Sequence, residues 1–187
     1  MKHIKHSRRC FFGHLAKLAI AGTVLPLPLS PRPAFAFPSR ARTLEFAHTH
    51  TGERLEIAYA IDGNYVPDAL TALSRFLRDH YTGSVGRMDP KLFDLLYEMK
   101  LSLRCDQPFQ VISGYRCPDT NATLRSTSNG GVAKHSLHME GKAIDIRLGG
   151  VPLADLRDAA RSARAGGVGY YPDDQFVHVD TGRVRHW

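Results

Sequence analysis

Apolar and polar residues alternate along several stretches of the chain, which is the pattern of β-strands with one buried face. The earliest of these stretches lies on both sides of a turn-forming segment at residues 49–52, with apolar positions Leu44, Phe46, Leu55, Ile57 and Tyr59. This arrangement predicts a β-hairpin. Further strands are predicted at residues 109–112, 143–146, 168–171 and 176–179, the last two as a pair.

Three other stretches repeat their apolar residues at the spacing of an amphipathic helix. The first helix is predicted to begin at Val66-Pro67-Asp68 and the second at Asp89-Pro90, because proline fits a first helical turn and aspartate caps a helix N-terminus. A third helix is predicted over residues 152–165. Residues 114–136 are polar and predict a long loop with a short helix near residues 119–125. A loop of this length inside a compact domain is typical of a functional segment.

The helices and strands are grouped along the chain instead of alternating strictly. This order predicts an α+β fold with a small antiparallel sheet and helices packed on one side. The chain has 187 residues, of which 43% are apolar and 23% charged, enough for one domain with its own core. This composition excludes intrinsic disorder as the general state.

Residues 1–36 have the order of an export signal. A basic start with the pair Arg8-Arg9, followed by Phe11-Phe12, is similar to the twin-arginine motif, and a short apolar run follows it. Ala34-Phe35-Ala36 then predicts cleavage before Phe37, which leaves residues 37–187 as the mature domain. The apolar run is too short and interrupted to span a membrane, so no stable membrane anchor is expected. The predicted location is the periplasm, reached through the twin-arginine export machinery.

The basic character of the chain belongs to this leader. The whole chain carries a formal charge of +7, but residues 1–36 hold six Lys or Arg and no Asp or Glu. Residues 37–187 therefore carry a net charge of only +1. A domain of this charge is not expected to bind nucleic acid through a general phosphate-binding surface.

Two cysteines remain in the mature domain, Cys105 and Cys117. An oxidising compartment favours a disulfide between them. The predicted strand at residues 108–113 lies between them, however, and an extended strand holds its ends farther apart than a disulfide allows. The sequence leaves this bridge open.

Three side chains on or beside the predicted strands are candidates for chemistry: His138, Asp145 and His178. Asp145 lies between Ile144 and Ile146, so its carboxylate points to the opposite face of the strand and needs a compensating partner. Two imidazoles, one carboxylate and a water form a common catalytic zinc set. On spacing alone, hydrogen-bonded structural histidines and an aspartate paired with an arginine are favoured over a zinc site. The remaining histidines of the domain that lack ligand spacing are predicted on the surface: His48, His50, His80 and His186.

The wider sequence context adds a family resemblance. The chain carries, in order, SGYR at residues 113–116, SLHMEGKAID at 136–145, GGVGYY at 166–171 and FVHVDTG at 176–182. Together these motifs resemble the murein endopeptidase K family of zinc peptidases, which is similar to the D-alanyl-D-alanine metallopeptidases and, more remotely, to the lysostaphin and Hedgehog fold group. The resemblance implies that fold, with one Zn²⁺ ion held by His138, Asp145 and His178. It also implies a substrate-facing role for Arg116.

The general base departs from the pattern of related metallopeptidases. Those enzymes carry a Glu three residues before the last ligand or a His two residues before it, whereas this chain has Gln175 and Phe176 there. Asp180, two residues beyond His178 on the same strand face, is the candidate substitute. It fits a base or a group that orients a ligand. Weaker base candidates that flank the site are His135 and Glu140.

The resemblance implies hydrolysis of peptide cross-links in peptidoglycan by metal-activated water. The nearest alternative is a D,D- or L,D-carboxypeptidase acting on stem peptides, because the same metal centre serves both reactions. A further alternative is a non-catalytic peptidoglycan-binding module, which the missing Glu or His before His178 favours.

Overall fold

A computed structural model describes residues 40–127 and 132–187. The predicted leader, its twin-arginine motif and the predicted cleavage before Phe37 lie outside the described residues. Within the described residues, no helix is both long and apolar enough to cross a membrane.

The described residues form four α-helices and eight strands, which confirms the predicted α+β class. The strands are β1 Ala41–His48, β2 Arg54–Ile61, β3 Asn64–Tyr65, β4 Phe109–Ser113, β5 Ala143–Leu148, β6 Gly167–Tyr171, β7 Phe176–Asp180 and β8 Arg185–His186. The α-helices are α1 Pro67–Phe76, α2 Pro90–Leu103, α3 Pro118–Thr127 and α4 Leu153–Ala163. All eight strands belong to one sheet, in the order β3-β2-β1-β4-β5-β7-β6-β8.

The sheet is larger than predicted and mixed in direction. The pairs β1–β4 and β6–β8 are parallel, while the other neighbouring strands are antiparallel. β4 runs parallel to β1 because two helices separate them in the chain, which allows the backbone to return in the same direction. β3 and β8 are two residues long, too short for an alternating pattern to reveal them.

The helix starts follow the predicted local signals. Pro67 opens α1, and Asp89 caps α2 by accepting a 3.0 Å hydrogen bond from the Lys91 amide. α4 ends at Ala163, two residues before its predicted end, because Arg164 adopts a left-handed φ of 50°. α2 and α4 contact each other and the sheet. Ile144 and Ile146 of β5 belong to the same buried core as these helices.

The predicted long loop is docked on the segment that follows α1. Its helix, α3, is longer than predicted. Before α3, the Tyr115 amide donates to the Leu77 carbonyl at 2.7 Å, and the Cys117 amide donates to Asp79 Oδ2 at 2.9 Å. These two bonds fix the backbone on both sides of Arg116.

The two cysteines are free thiols in the fold, which settles the bridge that the sequence left open. The half-buried Cys105 has its sulfur 3.8 Å from the Gly149 carbonyl. The sulfur of the buried Cys117 lies 3.3 Å from Thr120 Oγ1. β4 separates the two residues in the chain, as the sequence indicated.

The surface prediction is wrong for His48, which is 2% exposed. His48 is the last residue of β1, and its ring packs against Phe76 and His80. His80 is half-buried and stacks on the exposed His50 with ring centroids 4.2 Å apart. The alternation along β1 places His48 on the same face as Leu44 and Phe46, so its burial follows from its position in the strand.

Candidate metal centre

Strand pairing brings two of the three candidate ligands together. β5 and β7 are adjacent and antiparallel, and their register places Asp145 directly opposite His178. The neighbours of Asp145 in β5 are Ile144 and Ile146, which point into the core beneath α2 and α4. Asp145 therefore projects from the other face of the sheet.

His138 approaches that face from a short 3-10 turn, Leu137–Glu140. The Ser136 hydroxyl caps the turn, and Gly141 ends it with a left-handed φ of 66°. The Nδ1 atom of His138 lies 2.7 Å from the Gly114 carbonyl oxygen. Because a carbonyl only accepts, Nδ1 carries the proton and donates it, which leaves Nε2 free to bind a ligand.

The structure brings the three predicted side chains to one point. His138 Nε2 lies 3.2 Å from His178 Nδ1, and Asp145 Oδ1 lies 3.3 Å from His138 Nε2 and 2.8 Å from His178 Nδ1. The side chains are 4%, 9% and 12% exposed for His138, Asp145 and His178. Two imidazole nitrogens and a carboxylate oxygen converging in a buried position fit a zinc ion in donor type and number.

Opposite charges lie close together among these side chains. Burial alone would raise the pKa of Asp145, but His138 and His178 outweigh it and hold that pKa well below its usual range. Burial would likewise lower the pKa of His178, yet its hydrogen bonds to Asp145 and Asp180 raise it to about 9. A metal ion at this site would therefore have to displace a proton from His178.

Asp180 is fully buried directly behind His178. Its Oδ2 atom lies 3.2 Å from His178 Nε2, the ring nitrogen that faces away from the other candidate ligands. Its Oδ1 atom accepts from the backbone amides of Gly167 at 2.9 Å and Gly182 at 2.8 Å. Burial would raise the pKa of Asp180, but these hydrogen bonds and the Arg185 guanidinium lower it overall. Because both oxygens are occupied, the geometry favours the orienting alternative over the base.

Arg116 lies on the wall of the same cavity. Its Nη2 atom is 3.9 Å from Asp145 Oδ2 and 3.5 Å from Ser113 Oγ, both long contacts. The side chain is 13% exposed. The guanidinium thus retains donors that can bind an anionic group entering the cavity.

The cavity beside the three candidate ligands has a volume of about 280 Å³. One wall is aromatic: Tyr171 and Phe176 stack with ring centroids 4.6 Å apart, and the Trp187 ring lies 5.4 Å from His178. Trp187, the last residue of the chain, therefore lies at the edge of this cavity. The remaining lining residues include Arg116, His135, Asp174 and Arg185.

The structure separates the candidates for proton transfer. Gln175 hydrogen-bonds the Pro172 carbonyl within its own turn, and the exposed Glu140 pairs with Lys142 at 2.7 Å. Among the described residues, the cavity lining holds one imidazole and one carboxylate besides the three candidate ligands, those of His135 and Asp174. The sequence missed Asp174, since its place in the turn between β6 and β7 carries no recognisable motif.

Comparisons with known proteins find relatives over most of the chain. The family described as peptidoglycan L,D-endopeptidase MepK matches residues 37–187. The chain is 45% identical over 172 residues to peptidoglycan L,D-endopeptidase MepK of Escherichia coli strain K12, covering 91% of this chain and 94% of that protein. It is 42% identical over 173 residues to a probable peptidoglycan L,D-endopeptidase MepK of Haemophilus influenzae, covering 91% and 92%.

Proposed function

Since the chain belongs to the peptidoglycan L,D-endopeptidase MepK family, we propose that it hydrolyses peptide cross-links of peptidoglycan at one zinc ion held by His138, Asp145 and His178. The observation that carries this proposal is the convergence of the three donor atoms beside the cavity. The similarity over 91% of the chain to relatives named as endopeptidases favours that activity over a carboxypeptidase.

Each proposed ligand offers one defined atom. His138 offers Nε2 because the Gly114 carbonyl holds its Nδ1 proton. His178 offers Nδ1 when its Nε2 proton is donated to Asp180. Asp145 offers Oδ1, which faces both rings. Zinc bound there supplies Lewis acidity that polarises a carbonyl and acidifies water.

Arg116 has the role of stabilising negative charge on the substrate. Its guanidinium stays protonated at any working pH, lines the cavity and makes only long contacts within the protein. Such a group can stabilise the charge that develops on a scissile carbonyl oxygen or can pair with a substrate carboxylate. The hydrogen bonds of the Tyr115 and Cys117 amides hold the backbone on each side of Arg116.

Proton transfer falls to His135 or Asp174, which line the cavity, and not to the enclosed Asp180. Replacing His135 with Gln and Asp174 with Asn, one at a time, tells the two apart. Loss of the acting group is expected to lower kcat by roughly 10²- to 10⁴-fold, while loss of the other leaves kcat nearly unchanged. If neither change lowers kcat, the proton passes through another group.

We also propose that residues 1–36 direct the protein through the twin-arginine machinery to the periplasm, where the leader is removed near Phe37. The support is the order of basic, apolar and small residues in the leader, and a substrate that lies outside the cytoplasm.

Cross-linked muropeptides, incubated with the protein recovered from the periplasm, test the function. Cleavage products are identified by mass spectrometry, with and without a chelator. The proposal expects cleavage at a cross-link that the chelator abolishes, no cleavage by His138→Ala, and normal cleavage by the control His50→Ala, whose exposed ring lies outside the cavity. Release of single terminal residues instead would indicate a carboxypeptidase, and zinc binding without any product would indicate a binding module.

A further inference from the structure

The segment GGVG at residues 166–169 has glycines where neighbouring atoms leave no room for a Cβ atom, and not where the backbone needs a left-handed φ. None of its three glycines has a left-handed φ. A Cβ atom at Gly166 would collide with the Asp180 carbonyl, and one at Gly167 would collide with the Asp180 carboxylate and come within 2.5 Å of Arg185 Nη1. A Cβ atom at Gly169 would lie 2.8 Å from the Trp187 ring. The glycines therefore leave room for Asp180, Arg185 and Trp187 on the edge of the candidate metal centre.

Arg185 makes a two-point contact with the buried Asp180. Its Nη2 atom lies 2.8 Å from Asp180 Oδ2, and its Nη1 atom lies 3.2 Å from Asp180 Oδ1. The parallel pairing of β8 with β6 places Arg185 directly beside Gly167. A forked guanidinium that binds both oxygens fixes the plane of a carboxylate, which a lysine ammonium cannot do equally well.

Trp187 holds Arg185 from its other side. The guanidinium lies 5.0 Å from the centre of the Trp187 ring, a cation–π distance. The indole Nε1 atom donates to the Tyr171 hydroxyl at 2.7 Å, which anchors the ring beside His178. Arg185 is thus fixed between an anchored aromatic ring and a buried carboxylate.

We propose that Arg185 is a positioning residue for His178 that acts through Asp180, an inference that rests on the proposed function because it takes His178 as a zinc ligand. By fixing the Asp180 carboxylate, Arg185 keeps Oδ2 aimed at His178 Nε2. That hydrogen bond holds the Nε2 proton, directs the Nδ1 lone pair at the zinc position and increases the basicity of the ring. The consequence is tighter zinc binding in the absence of any substrate.

Zinc affinity of the purified protein tests this proposal. The dissociation constant for zinc alone is measured by competition with a chromophoric chelator. Arg185→Met is expected to weaken zinc binding by roughly 10- to 100-fold, the usual effect of losing a partner behind a metal ligand. Arg185→Lys is expected to restore part of the loss. The matched control Arg183→Met removes the same charge from an exposed neighbour and is expected to change the affinity less than about twofold.

Two further variants keep the test decisive if Arg185→Met folds poorly. Removing Arg185 leaves the buried Asp180 carboxylate without its cation, whereas the double variant Arg185→Met/Asp180→Asn removes both charges. If Arg185 acts through Asp180, the double variant binds zinc as weakly as Asp180→Asn alone. A folded Arg185→Met, verified by its thermal transition without metal, that binds zinc as tightly as the wild type would overturn the proposal. The proposal would also be overturned if the losses of zinc affinity in Arg185→Met and Asp180→Asn added up in the double variant.

The zinc measurement separates this inference from the proposed function. Wild-type protein that binds zinc but cleaves no muropeptide contradicts the function, while the affinities of the variants still decide the role of Arg185. Chelator-sensitive cleavage by a wild type whose zinc affinity does not depend on Arg185 contradicts this inference alone. Wild-type protein that binds no zinc overturns both.

Discussion

His178 uses its two ring nitrogens for different tasks. Nδ1 faces Asp145 and His138, while Nε2 faces the enclosed carboxylate of Asp180. His138 is similarly fixed from behind, by the Gly114 carbonyl. At the residue scale, the site therefore consists of donor atoms oriented by groups that are themselves buried, an arrangement that preorganises a metal site.

Asp145→Asn tests the proposed carboxylate ligand directly. The amide keeps the shape of the side chain but removes the negative charge that the two imidazoles surround, so zinc affinity is expected to fall by more than about 100-fold. A chelator competition measures the change. Asp155→Asn, an exposed position in the first turn of α4, is the control and should leave the affinity unchanged. Equal affinities for wild type and Asp145→Asn would remove Asp145 from the ligand set.

Gly169→Ala tests the space requirement along β6. Its new methyl group would press on the Trp187 and Tyr171 rings at 2.8 Å, so the free energy of unfolding is expected to fall by about 1–3 kcal/mol. Gly149→Ala is the control, because its Cβ would meet no atom closer than 3.9 Å. Urea unfolding of both variants measures the difference. Equal stabilities would show that the aromatic wall shifts freely.

At the scale of helices and strands, the sequence predicted the features that depend only on neighbouring residues. Pro67 and the Asp89-Pro90 pair open their helices as expected because proline geometry and an aspartate cap act within one turn. The sequence could not predict β3, β8 or the parallel pairs, since these depend on contacts between distant segments. Of these elements, β8 places Arg185 against Asp180.

Asp89 connects two elements. Its Oδ1 atom caps α2, and its Oδ2 atom accepts a 2.7 Å hydrogen bond from the Thr181 hydroxyl just beyond β7. Asp89→Ala is therefore expected to lower the free energy of unfolding by about 1–2 kcal/mol. Asp68→Ala, in the first turn of α1 where no side chain caps the helix, should cost less. Chemical denaturation compares the two, and equal losses would contradict the capping role.

At the scale of the whole molecule, the two faces of the sheet differ: one packs in the hydrophobic core, and the other faces the candidate metal centre. α2 and α4 cover the face that holds Ile144 and Ile146, while Asp145 and His178 project from the opposite face, which His138 approaches from its 3-10 turn. Sequence motifs indicated the side chains that converge there, because they lie on or beside recognisable strands. The same motifs did not indicate Asp174 or the role of Arg185, since a cavity wall forms only after distant segments have packed together.

The dependence of the free energy of unfolding on pH tests the burial of His48, which lies away from the candidate metal centre. Burial, with the neighbouring His80 and His50, lowers the pKa of His48 to about 4, while Glu53 opposes the shift. The unfolded chain takes up this proton near pH 6.5 and the folded chain only near pH 4. Between these values the free energy of unfolding therefore falls with falling pH, by about 2–3 kcal/mol.

The comparison variant is His48→Asn, whose side-chain oxygen can still accept from the His50 amide as Nδ1 does. Urea unfolding of the metal-free wild type and variant between pH 7.5 and 4 gives the difference in stability. That difference should change across this window in favour of the variant as the pH falls. A difference that is independent of pH would show that His48 titrates normally.

Anomalous X-ray scattering from a crystal of the zinc-loaded protein, collected at the zinc absorption edge, tests the central claim most directly. The account predicts one strong peak bounded by His138 Nε2, Asp145 Oδ1 and His178 Nδ1. A crystal that contains zinc but shows its peak elsewhere, with these three side chains contacting only one another, would contradict the account.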